Sequence, residues 1–233
     1  MKRILISILL LSGMISMASA ELGLNLGVSG QVGSMETSGK EVNSTTSLTE
    51  TSDVHEALFA TGGYFIEKDL AFLPGFLGRV GSRVHLGYDN IVHDLDMGSQ
   101  SNVRTNISPL DDDADPNQVH TLNAEVTGFN TKYVTLNIFP WLYVKGGDVS
   151  VDVSSKFVGT STSTYPTTHK LDGSMVGIGI ENTSENGLFF RLEFNDYDID
   201  GKAVANTGTD SKFTATLNDV SGTTGRISIG KAF

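Results

Sequence analysis

SGTTGRISIGKAF, residues 221–233, is the stretch that decides the reading. Ile227 and Ile229 share one parity, and Thr224, Arg226 and Ser228 share the other. Successive side chains of an extended strand point to opposite faces, so the segment has one apolar and one polar side. It finishes on Phe233, an aromatic for which a soluble domain offers no evident use. A strand closing a barrel in lipid does offer one: its outward side chains face hydrocarbon and its end meets the aromatic interface. Lys231 falls on the apolar parity and is expected at the rim, where its stem can carry the amine to water.

The opposite end points to export. Lys2 and Arg3 precede an apolar run, Ile4 to Met17, and then Ala18-Ser19-Ala20, a small-residue cleavage site. The run is shorter than the roughly 20 residues of a membrane helix. Residues 1–20 are therefore expected as a cleaved signal peptide and 21–233 as the barrel domain. The chain has no cysteine, which excludes lipid attachment at an N-terminal Cys, disulfides and thiolate metal sites.

Removing residues 1–20 takes away Lys2 and Arg3 and no acid, leaving 14 basic against 27 acidic residues, a net charge of −13. Nucleic acid is excluded as a partner, because phosphate binding needs clustered Lys and Arg. The 26 glycines, with abundant Thr, Ser, Asn and Val, suit strands joined by polar loops. A mean hydropathy of −0.05 is compatible with a membrane barrel, whose strands give half their residues to a polar lumen.

Eight strands can be placed. Leu22 to Ser34 alternates Leu22, Leu24, Leu26, Val28 and Val32 against Asn25, Ser29 and Gln31. Val54 to Ile66 carries apolar residues on both faces, which leaves its parity open. Residues 67–78 read as a turn with buried residues, or as a connection whose Leu70, Phe72, Phe76 and Leu77 touch the interface. Arg79 to Val92 alternates Val80, Val84, Leu86 and Tyr88 against Arg83, His85 and Asp89. His120 to Phe139 exceeds the 9–11 residues of a span, so its first half is expected in the medium. Trp141 to Ser154 sets Val149, Val151 and Val153 opposite Asp148, Ser150 and Asp152; Lys145 breaks that parity, and Gly146-Gly147 is a natural bulge. Leu171 to Asn182 sends Val176, Ile178 and Ile180 outward. In the seventh strand Leu188, Phe190, Leu192 and Phe194 share a face with Asp196, Asp198 and Asp200, as expected of a strand leaving the membrane.

Short connections (67–78, 139–141, 183–187) alternate with long polar ones (about 36–53, 94–119, 155–170 and 201–220, the last with a strand extension at 213–217). This asymmetry fits an all-β, eight-stranded, antiparallel, up-and-down transmembrane β-barrel with short periplasmic turns and long outer loops. Phe139, Trp141, Tyr143 and Phe233 are expected in the membrane-rim aromatic girdle. The closing strand and the size resemble the small outer-membrane barrels of the OmpX/OmpW and opacity-protein kind, and VSVDV, LDG and GKAF are similar to segments of marine bacterial outer-membrane proteins. The resemblance implies an integral protein of the Gram-negative outer membrane, exposed at the cell surface, with lipid, lipopolysaccharide and the barrel-assembly machinery as partners.

An eight-stranded barrel has an interior that side chains can fill. Arg83, His85, Asp89, Glu181, Arg191, Glu193 and Arg226 are expected to point inward as a lumen charge network. A salt-bridged plug is the favoured reading, giving a non-enzymatic structural or surface-interaction barrel that could meet an extracellular ligand through its acidic loops. The alternative is a narrow channel for small hydrophilic solutes or ions. His55, His93 and His120 fall near outer strand ends, without the spacing of a known barrel hydrolase. No cofactor is expected. Weak calcium binding is the alternative to a solvated acidic rim at Asp196, Asp198, Asp200 and Gly201, or at Asp111, Asp113, Asp115 and Asn117.

Overall fold

The computed structural model describes residues 22–43, 49–51, 54–92, 95–104, 118–158, 167–205 and 213–233. Eight antiparallel strands close on themselves. Their order is β5 (Val84–Ile91), β4 (His55–Asp69), β1 (Leu24–Thr37), β13 (Val220–Ala232), β10 (Leu188–Ile199), β9 (Thr168–Thr183), β8 (Leu142–Val158) and β7 (Gln118–Phe139), and β5 pairs with β7 to complete the ring. The segment that opened the reading is thus the closing strand: β13 pairs with β1 from Asn25↔Ala232 to Glu36↔Ser221 and with β10 from Leu188↔Lys231 to Ile199↔Val220.

The alternation is clean on most strands. On β10, Phe189, Arg191, Glu193, Asn195, Tyr197 and Ile199 are buried while the residues between them are exposed. On β13, Thr224, Arg226 and Ser228 are buried while Ile227 and Ile229 are exposed. The open parity of β4 resolves with Phe65 and Glu67 inside and Tyr64 and Ile66 outside. Among the described residues no helix is long and apolar enough to cross a membrane, so any crossing is made by strands.

The wall continues past the barrel at its outer end. β3 (Thr49–Thr51), β2 (Gly39–Asn43), β12 (Phe213–Leu217) and β11 (Lys202–Ala205) form a four-stranded sheet that prolongs β4, β1, β13 and β10. On the other side β6 (Leu95–Arg104) prolongs β5 and pairs with β7. The expected loops at 36–53 and 94–119 are therefore partly strand. Their Ser- and Thr-rich segments are β-competent, and a paired neighbour satisfies their backbone groups, which periodicity alone does not report. The extension expected at 213–217 is present as β12.

Two further expectations change. No bulge interrupts β8 at Gly146-Gly147: its register against β9 is unbroken from Leu142↔Ile180 to Ser154↔Thr168. Lys145 and Val149 therefore share the inward face, and Asp148 points out. The bulge lies on β7 between Val126 and Gly128. Below it Asn130 and Lys132 keep the outward parity of Val134.

The interior changes character along the axis. Toward the outer end Met35, Val126, Phe129, Val149, Val151, Leu171, Met175, Tyr197, Ile199 and Val220 pack into one apolar cluster. There the outward residues of β8, β9 and β10 are polar, including Asp148, Asp172 and Asp196. Toward the short turns the relation inverts: Val134, Leu136, Ile178, Ile180, Phe190, Leu192, Ile227 and Ile229 are exposed outside while charges fill the inside. An apolar exterior over a charged interior is stable only where hydrocarbon replaces water, so the inverted tier is the membrane-spanning one.

Candidate functional site

The charged tier of the lumen brings together side chains from all eight strands. Glu67, 1% exposed, stands at its centre. Arg191 donates to it through both terminal nitrogens, Nη1 to Oε1 at 2.6 Å and Nη2 to Oε2 at 2.7 Å. Tyr133 donates its hydroxyl to Oε1 at 2.9 Å and Asn25 its amide to Oε2 at 3.2 Å. A carboxylate taken from water requires this degree of satisfaction, and the two-pronged guanidinium contact is the strongest single form of it. Arg191 uses its remaining edge on Glu181, Nε to Oε2 at 2.5 Å.

A second chain of charges runs beside the first. Lys145 reaches Glu193 at 3.4 Å, Arg226 reaches the other oxygen of Glu193 at 3.2 Å, and Arg226 also pairs with Asp89. Four carboxylates thus meet three cations, so nearly all the buried charge is neutralised within the barrel.

Aromatic rings fill the space between the charges. The Arg191 guanidinium lies 4.6 Å from the Phe189 ring centre, 5.3 Å from that of Phe65 and 5.4 Å from that of Tyr143, and the Lys145 amine lies 3.8 Å from that of Tyr133. Each of these four rings covers a glycine directly across the strand pair: Phe65 over Gly27, Tyr133 over Gly87, Tyr143 over Gly179 and Phe189 over Gly230. A Cβ on any of the four glycines would stand 2.3–2.4 Å from the facing ring. The glycines make room for the rings, which pack among the lumen charges.

Of the sequence-predicted lumen residues, Asp89, Glu181, Arg191, Glu193 and Arg226 join this network. His85 lies half-buried on the inward parity of β5. Arg83 does not join: the short helix α1 (Phe76–Gly81) and Ser82 occupy the turn, β5 begins only at Val84, and Arg83 is exposed at the short-turn rim. Glu67 and Lys145, which sequence reasoning missed, are as central as any. Glu67 falls in the expected connection 67–78 because the sequence pattern ends that strand at Ile66, whereas β4 runs to Asp69.

Among the rim aromatics, Phe139 and Trp141 are exposed and stack with ring centres 5.7 Å apart. Phe233 is half-buried beside Lys231, whose amine bonds the Asn186 carbonyl in the short turn 183–187. Lys231 is therefore at the short-turn rim. Tyr143 is a correction: at 2% exposure it faces the lumen, because odd positions on β8 point inward. The connection 67–78 puts Phe72, Phe76 and Leu77 on the surface at the same rim, consistent with interfacial contact.

The DxDxDG segment begins on a strand. Asp196 and Asp198 are alternate residues of β10 on its outward face, spaced about 7 Å along the strand, so they do not converge. Among the described residues no group of three or more His, Asp or Glu could hold a metal ion. Asp111, Asp113, Asp115 and Asn117 lie outside the described residues, as does His93.

No protein-family model matches the chain. No curated protein matches it either. Solved structures align at low similarity. The outer membrane protease OmpT from Escherichia coli aligns at 8% identity and a TM-score of 0.41, covering 94% of this chain and 100% of that one. Ail, the attachment invasion locus protein of Yersinia pestis, aligns at 8% identity and a TM-score of 0.33, covering 87% of this chain and 97% of that one. The closed register and the outward apolar belt, and not these alignments, establish the membrane barrel.

Proposed function

We propose that this chain, an integral eight-stranded outer-membrane β-barrel, is a non-enzymatic structural and surface-interaction protein that carries a closed lumen and offers its outer strands and acidic loops to the medium. One observation supports this reading above the others: the lumen is closed twice in series. Ion pairs and four ring-on-glycine contacts fill the charged tier, and the apolar cluster fills the tier above it. The charged groups a solute or substrate would need are engaged with one another, Glu67 with four donors. On this reading the partners are membrane lipid and lipopolysaccharide around the belt, the assembly machinery at the closing strand, and a ligand of the medium at the outer end.

The competing reading, a narrow channel for small hydrophilic solutes or ions, requires a continuous water path past Glu67 and Arg191. Planar-bilayer recording of the refolded mature chain separates the two. The closed barrel gives no reproducible conductance steps, whereas steps abolished or altered by Arg191→Ala would establish the channel. Recovery of the mature chain in a soluble fraction, with no heat-dependent change in gel mobility, would remove both.

A further inference from the structure

The apolar belt is not level around the barrel. On β7 the outward apolar run extends from Ile138 to Val134, and Lys132, 7 residues from the end of the strand at Phe139, terminates it. On β8 it extends from Leu142 only to Gly146, and Asp148 terminates it. Lys132 and Asp148 face each other across the strand pair. On β1, across the barrel, the run continues from Leu24 to Val32, and on β4 from Ile66 to Leu58, 11 residues from the end of that strand at Asp69. Val32 and Leu58 are 61% and 82% exposed, so no other part of the described protein covers them.

Four residues of strand, at roughly 3.3 Å each and a tilt near 40°, are about 10 Å of height. Charges cannot follow the hydrocarbon upward to level this difference. A lysine stem can carry its amine some way to water, but the Asp148 carboxylate stands one carbon from the backbone and fixes the boundary where it is. Leaving Leu58 and Val32 in water on the other flank would expose a contiguous apolar patch. Phe139 and Trp141 on one flank and Phe72 and Phe76 on the other are exposed at the short-turn rim, where aromatic rings anchor at the interface.

Given the membrane barrel, we propose that the protein thins the outer leaflet on its β7–β8 flank: the hydrocarbon boundary descends from Leu58 and Val32 on β4 and β1 to Lys132 and Asp148 on β7 and β8. The surface is built for a bilayer that deforms on one side. Lipid meets a mismatch by thinning at a modest cost per ångström, whereas a carboxylate carried into hydrocarbon is expensive.

Because the chain has no cysteine, single cysteines can carry a nitroxide without background. Depth is then read in phosphatidylcholine vesicles with 18-carbon chains from accessibility to oxygen and to a nickel chelate. Labels on Lys132→Cys and Asp148→Cys are expected at headgroup depth, and labels on Val32→Cys and Leu58→Cys inside the hydrocarbon. A Leu58→Cys label as open to nickel as the Lys132→Cys label would overturn the proposal. Labels on Ile66→Cys and Leu136→Cys, each three residues from the end of its strand, should report equal depth in the lower half of the belt; an offset there in the same sense as above means a tilted barrel in an undeformed bilayer, which also overturns it. The joint variant Lys132→Leu, Asp148→Leu should shift the equilibrium urea midpoint upward in 18-carbon relative to 14-carbon vesicles. An unchanged ratio of midpoints counts against thinning. A water-exposed label on Phe190→Cys would instead remove the membrane barrel itself.

Discussion

Glu67 is held by Arg191, Tyr133 and Asn25, and replacing it exposes how the lumen charges depend on one another. Glu67→Ala leaves the Arg191 guanidinium buried with only Glu181 as a counter-charge, and breaking a buried pair from one side costs about 3–5 kcal/mol. The expected outcome is a lower urea midpoint in detergent micelles, read by heat-modifiable gel mobility, with Glu67→Gln less affected because it keeps acceptor and donor capacity. A midpoint within error of the native value would show the pair to be dispensable. Gly87→Val tests the packing in the opposite direction: its Cβ would stand 2.3 Å from the Tyr133 ring, so an overpacking loss of about 1–3 kcal/mol is expected. Gly225→Ala, where nothing lies within 4 Å of the added carbon, should be tolerated in the same assay. At this scale the sequence was partly legible. Arg191, Glu193 and Arg226 could be assigned inward because apolar neighbours fix their parity. Glu67 could not, since its strand carries apolar residues on both faces, and neither could the glycines, whose partners are distant in sequence and adjacent only through register.

The strands separate what a periodic pattern can report from what it cannot. On β10 the run Leu188, Phe190, Leu192, Phe194 and then Asp196 points to face and membrane boundary together, and the structure reproduces the face. Phe190→Arg therefore places a charge in the hydrocarbon and should cost about 2–4 kcal/mol by equilibrium unfolding in vesicles, while Asp196→Arg, beyond the boundary, should change little. Equal effects at the two sites would contradict the assigned boundary. On β8 the same rule misleads when the valines are taken as the outward set. Above the belt the surroundings exchange roles, water outside and packed side chains inside, so Val149 and Asp148 keep their faces while the meaning of an apolar face inverts. Lys145 signalled this from the start, since an inward lysine requires an inward Val149 when no bulge intervenes. Strands β2, β3 and β6 were not legible because their stability comes from pairing, β2 with β12, β3 with β2 and β6 with β7, which local composition does not encode.

Across the whole molecule, the two tiers act as resistances in series. The lower closure is electrostatic: a water file entering from the short turns meets Glu67, Arg191, Glu193 and Arg226 already bonded to one another. The upper closure is an apolar cluster around Val149, Val151 and Ile199, whose aliphatic side chains offer water no hydrogen-bond partners, so water is expected to stay out of it. Disrupting one closure leaves the other intact, so Arg191→Ala alone should remain silent in planar-bilayer recording even though it loosens the lower tier. Val149→Ser with Met175→Ser, which wets the upper tier alone, should be equally silent. Combining all three substitutions removes both obstacles, and conductance steps are expected only then, provided the triple variant retains heat-modifiable mobility. Conductance from Arg191→Ala alone would mean that the apolar cluster is no barrier and that the native lumen is a pore held shut by one ion pair, which returns the protein to the channel class.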